Sequence, residues 1–422
     1  MKQYKILWIV NMIFPEAEKQ LSGNGILKNT GGWLLASANE LVKRNEFSLA
    51  VVGVSPRVDD LTIIQGEKIL YYVIPLGKGN NSYNSSYEKY WKRIIEDFNP
   101  DLVNINGTEF PHSLSYLRSC PGIKTVLTIQ GLSNQIAIFH NYGMSKWEIL
   151  KNITPRDIAR QTLLGAKRAF VSKGECEKEI LRSVKYVIGR TTWDKSMALD
   201  VNPELMYYHC NESLRESFSN GCWSYSTCQP HTIFLSQASS PFKGLHQLIK
   251  ALVRVVSIYP DTKVRIAGQD ILRSGGRKEK LKMSGYGKFI QKLINKYNLN
   301  GCIEFVGFLD EQQIKAELLN SNVYIIPSSI ENSPNSLCEA QMLGVPSIGS
   351  YVGGIADFIP SKAHGEMFRF EDYEVLSTKI ISIFENSSSF DNTEMRRTAH
   401  ARHDVKKNVD VLVNIYKDIL SK

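Results

Sequence analysis

The 422-residue chain holds no apolar run near the ~18 to 20 residues that a helix needs to cross a bilayer. Its opening, MKQYKILWIVNMIFPE, runs directly into Pro15 and Glu16. A signal peptide requires a longer apolar stretch and a small-residue cleavage site, so the opening reads as a first buried strand, and a cytoplasmic location is expected. Cysteine is scarce: seven residues, odd in number and scattered, without the C-x-x-C spacing of zinc or redox sites. They are expected as reduced thiols. No Asp-x-Asp occurs, and His400 and His403, three apart, lack the further ligands that a metal would need. No metal or cofactor is therefore expected. Neither charge sign is scarce, and 51 Lys+Arg against 42 Asp+Glu leaves a diffuse +9 that favours anionic ligands or surfaces without pointing to nucleic acid.

What is present is the composition of a globular protein, with 43% hydrophobic and 22% charged residues. The length fits more than one core. Strand-like runs at 6–10, 49–54, 70–74, 102–105, 126–129 and 186–188 alternate with helical patterns such as 33–43 and 87–98. The scheme repeats with strands at 232–235, 264–267, 303–306, 323–326 and 346–349 and helices near 244–258, 289–297, 311–320 and 334–343. Alternation of this kind gives βαβ units and parallel sheets. The expectation is two Rossmann-like, doubly wound α/β domains facing a cleft, 1–222 and 223–403. The boundary falls in GCWSYSTCQP, which has turn residues and no periodicity. A last helix within 404–422 can pack on either domain.

In open α/β sheets ligands sit beyond the carboxyl ends of the strands, so the loops there matter most. The segment 327–357, PSSIENSPNSLCEAQMLGVPSIGSYVGGIAD, follows the apolar strand NVYIIP. Ser333 suits an N-cap and Pro334 the first helical position. Amides around Asn335–Leu337 would then face a ligand, and a helix start favours phosphate. Glu331 and Glu339 are eight positions apart, up to roughly 12 Å at the rise of a helix. Paired carboxylates of a glycosidase sit about 5 to 9.5 Å apart, so that spacing disfavours a hydrolase and suits the two ends of one ligand. A capping carboxylate plus an exposed helix residue is the structural alternative.

The pattern PS-x-x-E-x-x-P-x4-E-A-x3-G-x-P, followed by Gly353 and Gly354, resembles the donor-site signature of retaining glycosyltransferase family 4, the group 1 glycosyltransferases. The resemblance implies the glycosyltransferase-B fold, a retaining, metal-independent hexosyl transfer and a nucleotide-diphosphate sugar, UDP- or GDP-linked, as co-substrate. It implies that Glu339 binds the donor ribose, that Glu331 approaches the transferred sugar, and that Ser333, Asn335, Ser336 and Leu337 line sugar and diphosphate. FLSQASSPFKGLHQLIKAL at 234–252 resembles a second family segment, in which Lys243 neutralises the diphosphate. A cation there stabilises charge on the leaving group. Many members carry Gly-Arg where this chain has Ser236 and Gln237. Arg190 and Lys195, in GRTTWDK after the strand YVIG, are candidate replacements, with a salt bridge between domains as the alternative for Arg190.

Gly31 and Gly32, after the opening strand, match the family's glycine loop and would let amides approach a phosphate. They do not complete a G-x-G-x-x-G fingerprint after Gly23 and Gly25. Gln130, in TIQGL, stands where many relatives have histidine; it cannot move protons at neutral pH, but it can orient a sugar. Asn106, Glu109 and His112, in NGTEFPH, are candidates to meet a glycan or lipid-linked acceptor. The basic stretch 273–296 is a solvated helix and loop or a contact for an anionic membrane surface or lipid diphosphate. Family members of this type commonly build bacterial capsule or lipopolysaccharide, with peripheral contact at the inner face of the cytoplasmic membrane. A sugar-nucleotide epimerase or hydrolase of the same fold, and an inactive nucleotide-sugar-binding partner, remain alternatives.

Overall fold

The computed structural model describes residues 3–22, 32–77, 82–160, 162–273 and 282–422. The chain divides into two units, Met1–Asn134 with Phe170–Arg215 and Arg402–Lys422, and Gln135–Ala169 with Glu216–Ala401. Residues 135–169 therefore group with the second unit, whereas the sequence reading placed 1–222 together. Their helices are short, Lys146–Asn152 and Pro155–Arg160, so periodicity carried little information there.

The first unit is built on β1 (Tyr4–Ile9), β2 (Phe47–Ser55), β3 (Thr62–Gln65), β4 (Ile69–Pro75), β5 (Leu102–Asn106), β6 (Thr125–Thr128), β7 (Tyr186–Gly189) and β8 (Met206–His209). Among the described residues they form one sheet in the order β3-β4-β2-β1-β5-β6-β7-β8. Only the β3–β4 pairing is antiparallel. The central strands read as continuous apolar runs because helices cover both faces. The strands that the sequence did not announce are the two at the sheet's edges, β3 and β8, where no such run is needed.

The second unit carries β9 (Gln229–Leu235), β10 (Lys263–Ala267), β11 (Ile303–Gly307), β12 (Ser321–Ile326), β13 (Ser347–Ser350) and β14 (Glu366–Phe368). Its sheet, parallel throughout, has the order β11-β10-β9-β12-β13-β14. This is the doubly wound order of nucleotide-binding folds. The direction of winding reverses between β9 and β12, and in the first unit between β1 and β5. No helix among the described residues is long and apolar enough to cross a membrane.

The last helix, Val405–Ser421, belongs to the first unit, where Val409, Tyr416 and Ile419 are buried with Trp8 and Phe47. Tyr416 is wholly buried. Its hydroxyl oxygen accepts hydrogen bonds from Trp8 Nε1 at 3.0 Å and Asn104 Nδ2 at 2.7 Å, tying the chain's end to two central strands. Tyr416→Phe would leave two buried donors without their acceptor. It is expected to destabilise the unit by about 1 to 3 kcal/mol, measured as a lower urea midpoint at unchanged m-value.

Candidate functional site

The reversal between β9 and β12 is where a ligand-binding crevice is expected in the second unit, and Lys243 and Glu331 meet there. Beyond β9 the chain turns through a short 3-10 helix, Pro241–Lys243, then enters the helix Leu245–Ile258 through Gly244. Beyond β12 it runs through Pro327–Glu331. Lys243 Nζ donates to Glu331 Oε1 at 2.6 Å, and Ser328 Oγ donates to the same oxygen at 2.8 Å. Both side chains are mostly buried, 19% and 14% exposed. An ammonium has three donors, so Glu331 occupies one of those that Lys243 offers.

Two glycines make this approach possible. Gly244 has φ +72°, and a Cβ there would stand 1.7 Å from the carbonyl oxygen of Pro327. Gly353 has φ +53°, and its Cβ would stand 1.8 Å from the carbonyl oxygen of Glu331. The Gly354 amide donates to that same oxygen at 3.0 Å, and the Ser329 amide donates to the carbonyl of Phe242 at 2.8 Å. The loop bearing Glu331 is thus pinned on one side by the turn bearing Lys243 and on the other by the glycine pair of the sequence motif.

The helix expected from Pro334 begins one residue later, at Asn335, and ends at Leu343 with Gly344 in the left-handed conformation. Pro334 itself is the N-cap with extended backbone, one position beyond Ser333. The backbone of Pro334, with ψ 106°, is not helical, so its ring precedes the first turn. The amide of Leu337 returns to the Pro334 carbonyl at 3.0 Å, and its side chain is buried. Asn335 and Ser336 are then the residues whose amides open the helix, with the orphan donors of any helix start. Glu339 is buried on the same helix, 5% exposed.

Tyr324, in the apolar strand β12, was not a sequence candidate. Its hydroxyl donates to Ser336 Oγ at 2.7 Å and lies 3.1 Å from Ser236 Oγ, so it links the ends of β9 and β12 to the helix start. Burial raises its pKa, and the charges of Glu331 and Glu339 act in the same direction, so the phenol stays protonated as a donor. Gln237, one residue beyond Ser236, is exposed.

In the first unit, Arg190 follows β7 and forms a buried ion pair with Glu212 at 3.0 Å, both side chains 5% exposed. The pairing lies within the unit, where the sequence reading offered a bridge between domains. Removing one member of such a pair leaves the other charge buried. Lys195 is exposed, 5.7 Å from the ring centroid of Tyr207. Gly32 opens the helix Gly32–Leu41, and a Cβ there would meet the Arg215 side chain at 2.8 Å. Gly31 lies outside the described residues, as do Gly23 and Gly25 and, in the basic stretch, Arg277, Lys278 and Lys280.

Asn106 ends β5 and is buried. Glu109 is partly buried, and burial raises its pKa against the opposing charges of Lys173 and Arg190. The ring of His112 is 1% exposed and stacks on Phe110 with centroids 5.6 Å apart, so it packs the interior. Burial brings its pKa down to about 4, and the ring is neutral. Gln130, beyond β6, is half-buried. The loop after it is held by Glu177, which accepts from Thr108 Oγ1 at 2.6 Å and from the amides of Ser133 and Asn134 at 2.8 and 3.1 Å. Burial pushes the Glu177 carboxyl up to about 7 against those hydrogen bonds. Nothing in the sequence singles Glu177 out, because it is one of several acids in the helix Leu164–Ser183. His400 and His403 each turn to a backbone carbonyl, of Met342 and Glu212 respectively.

With this geometry in place, the family model described as Glycosyl transferases group 1 matches residues 228–419, which include Lys243, Glu331 and Glu339. Over these residues the chain is similar to the group 1 glycosyl transferases. The amylovoran biosynthesis glycosyltransferase AmsK of Erwinia amylovora is 24% identical over 189 residues, 42% of this chain and 46% of that protein. The chain spans less than half the length of three curated relatives that it matches, 32%, 39% and 46%. Two solved structures share the fold over nearly all of both chains. Sucrose-phosphate synthase from Thermosynechococcus elongatus has a TM-score of 0.70 at 16% identity, covering 99% of this chain and 100% of its own. Anabaena Alr3699/HepE, solved in complex with UDP-glucose, has a TM-score of 0.64 at 14% identity, covering 98% and 99%. The chain thus has the glycosyltransferase-B fold that the sequence resemblance implied.

Gly244→Ala is expected to cost about 1 to 3 kcal/mol from the left-handed backbone alone, with displacement of Pro327 added. Gly344→Ala, which caps the far end of the Asn335–Leu343 helix, controls for left-handed strain away from the ion pair. Urea unfolding of the two variants checks this: a larger loss of stability in Gly244→Ala than in Gly344→Ala is the expected result.

Proposed function

We propose that the chain is a retaining glycosyltransferase that moves a hexose-type sugar from a UDP- or GDP-linked donor to a glycan or lipid-linked acceptor in bacterial surface polysaccharide synthesis. The observation that carries this reading is the Lys243–Glu331 contact at the winding reversal of the second sheet, beside a helix start and a buried Glu339. In it, Lys243 and the amides of Asn335 and Ser336 stabilise the diphosphate as charge develops on the leaving group. Glu339 holds the ribose and Glu331 the transferred sugar. The acceptor hydroxyl attacks from the face that the diphosphate leaves and gives its proton to the departing phosphate, so retention needs no enzymic nucleophile and no metal. Orientation of the two substrates supplies much of the rate. The polysaccharide setting follows the name of the amylovoran relative, and the donor class the UDP-glucose bound to the Anabaena protein.

Thermal unfolding of the wild type and Glu339→Ala with UDP, GDP, ADP and their common sugar conjugates tests the reading. A ligand at 100 times its Kd stabilises by about 2.7 kcal/mol, so one nucleotide is expected to raise the wild-type Tm and leave Glu339→Ala unmoved. No stabilisation by any of them across a range of concentrations would contradict the reading, and stabilisation without turnover across acceptors would favour an inactive nucleotide-sugar-binding partner. Stabilisation followed by conversion of the donor without a new glycoside would favour an epimerase or hydrolase.

A further inference from the structure

Residues 135–169 belong to the second unit and form two hollows on it, of opposite chemistry. The first, about 220 Å³, is lined by His140, Arg156 and Thr162, by Ser239, Ser240 and Pro241 beyond β9, and by Gln269, Arg273 and Lys282 beyond β10. Among its described lining residues three side chains are cationic and none is acidic. Asp157, next to Arg156, is turned inward, where it accepts from the amides of Thr154 and Gly285 and from the Thr154 and Thr162 hydroxyls. His140 is 2% exposed, packs against Phe242 with centroids 5.7 Å apart, and has its pKa lowered by burial, so it adds a neutral donor or acceptor beside the turn that carries Lys243.

The second hollow is an open groove of about 540 Å³, lined by Ile138, Tyr142, Met144, Ile149 and Leu164 with Lys167 at its rim. The two share a wall one or two residues thick along the chain. His140 lines the pocket while Ile138 and Asn141 line the groove; Leu163 and Ala166 line the pocket while Leu164 and Lys167 line the groove. The apolar character continues outward. Of the sixteen exposed large hydrophobic residues among those described, six fall in 135–169, including Trp147 at 72% and Ile158 at 75% exposure. Exposed apolar surface concentrated in this way marks a contact site.

A cationic, hydroxyl-rich pocket backing onto an apolar groove fits an amphiphile with an anionic head. We infer that this double hollow binds a phosphate-bearing lipid, the head against Arg156, Arg273 and Lys282 and the hydrocarbon along Ile138, Tyr142 and Leu164. The inference rests on the transferase reading, which it deepens: the lipid is the carrier of the acceptor, and the pocket holds its phosphate next to the turn of the donor site.

Calorimetric titration of the full chain with inorganic pyrophosphate, farnesol and farnesyl diphosphate tests this. Farnesyl diphosphate is expected to bind at least tenfold more tightly than pyrophosphate. Arg156→Ser is expected to weaken farnesyl diphosphate at least tenfold. The double variant Ile138→Ser, Leu164→Ser is expected to reduce it to the pyrophosphate level, with pyrophosphate itself unmoved. All three titrations are run with the donor site saturated by a stabilising nucleoside diphosphate, which separates this pocket from the donor site. Equal affinity for farnesyl diphosphate and pyrophosphate, or wild-type binding by an Arg156→Ser protein of unchanged Tm, overturns the proposal. So does an Arg156→Ser protein that binds farnesyl diphosphate normally and loses only its binding to phosphatidylcholine–phosphatidylglycerol vesicles, which would make the face a bilayer contact. Failure here with nucleotide stabilisation intact leaves the transferase reading standing, whereas the reverse pattern contradicts that reading alone.

Discussion

The ion pair between Lys243 and Glu331 is the constraint on which the second unit's site depends. It joins the loops that leave β9 and β12, the two strands where the winding of the sheet reverses, and it requires two backbone approaches that no residue with a Cβ can make. Gly244 admits the carbonyl of Pro327, and Gly353 admits that of Glu331. The motif's glycines, its acidic residue and the lysine almost ninety positions earlier are therefore parts of one construction. Tyr324 completes it from below, a buried phenol kept protonated by its surroundings and bridging Ser236 and Ser336. Such a construction holds charge and donors in place before a ligand arrives, which is what electrostatic stabilisation of a leaving group needs.

The first unit uses buried polar contacts in a different way. Arg190 with Glu212, and Glu177 with the loop that follows Gln130, fix the carboxyl ends of β5, β6 and β7. Tyr416 brings the chain's last helix into the same core through Trp8 and Asn104. These groups are satisfied by one another, so they serve to position loops. Among the first-unit candidates, Asn106 and Glu109 stand at or just beyond the end of β5 and Gln130 just beyond β6, while His112 is taken up by packing.

Most of this was legible because parallel strands covered on both faces must be apolar throughout. The runs at 6–10, 102–105 and 323–326 read as strands for that reason and became β1, β5 and β12. Lys243 and Glu331 were singled out by the family resemblance of their two segments, and the structure brings their side chains into contact. The remainder depends on tertiary contact. Tyr324 looks like one more core aromatic in NVYIIP, and only its neighbours make it a donor. Glu177 is indistinguishable in sequence from the solvated acids around it. The allegiance of 135–169 to the second unit rests on contacts such as Asp157 with the Gly285 amide, 128 positions away, that no local pattern announces. The edge strands β3, β8 and β14 were missed because strands at a sheet's edge can be short and half polar.

The proposed contact of Lys243 with the diphosphate of the donor is open to phosphorus NMR. Titrating a stabilising nucleoside diphosphate with wild-type protein should shift and broaden both phosphorus resonances, the terminal one more strongly. Lys243→Ala, folded by its unchanged Tm, should leave the terminal resonance at its unbound position at the same concentrations. Equal shifts of that resonance with both proteins would contradict the account, because the ammonium of Lys243 would then have no part in holding the leaving group.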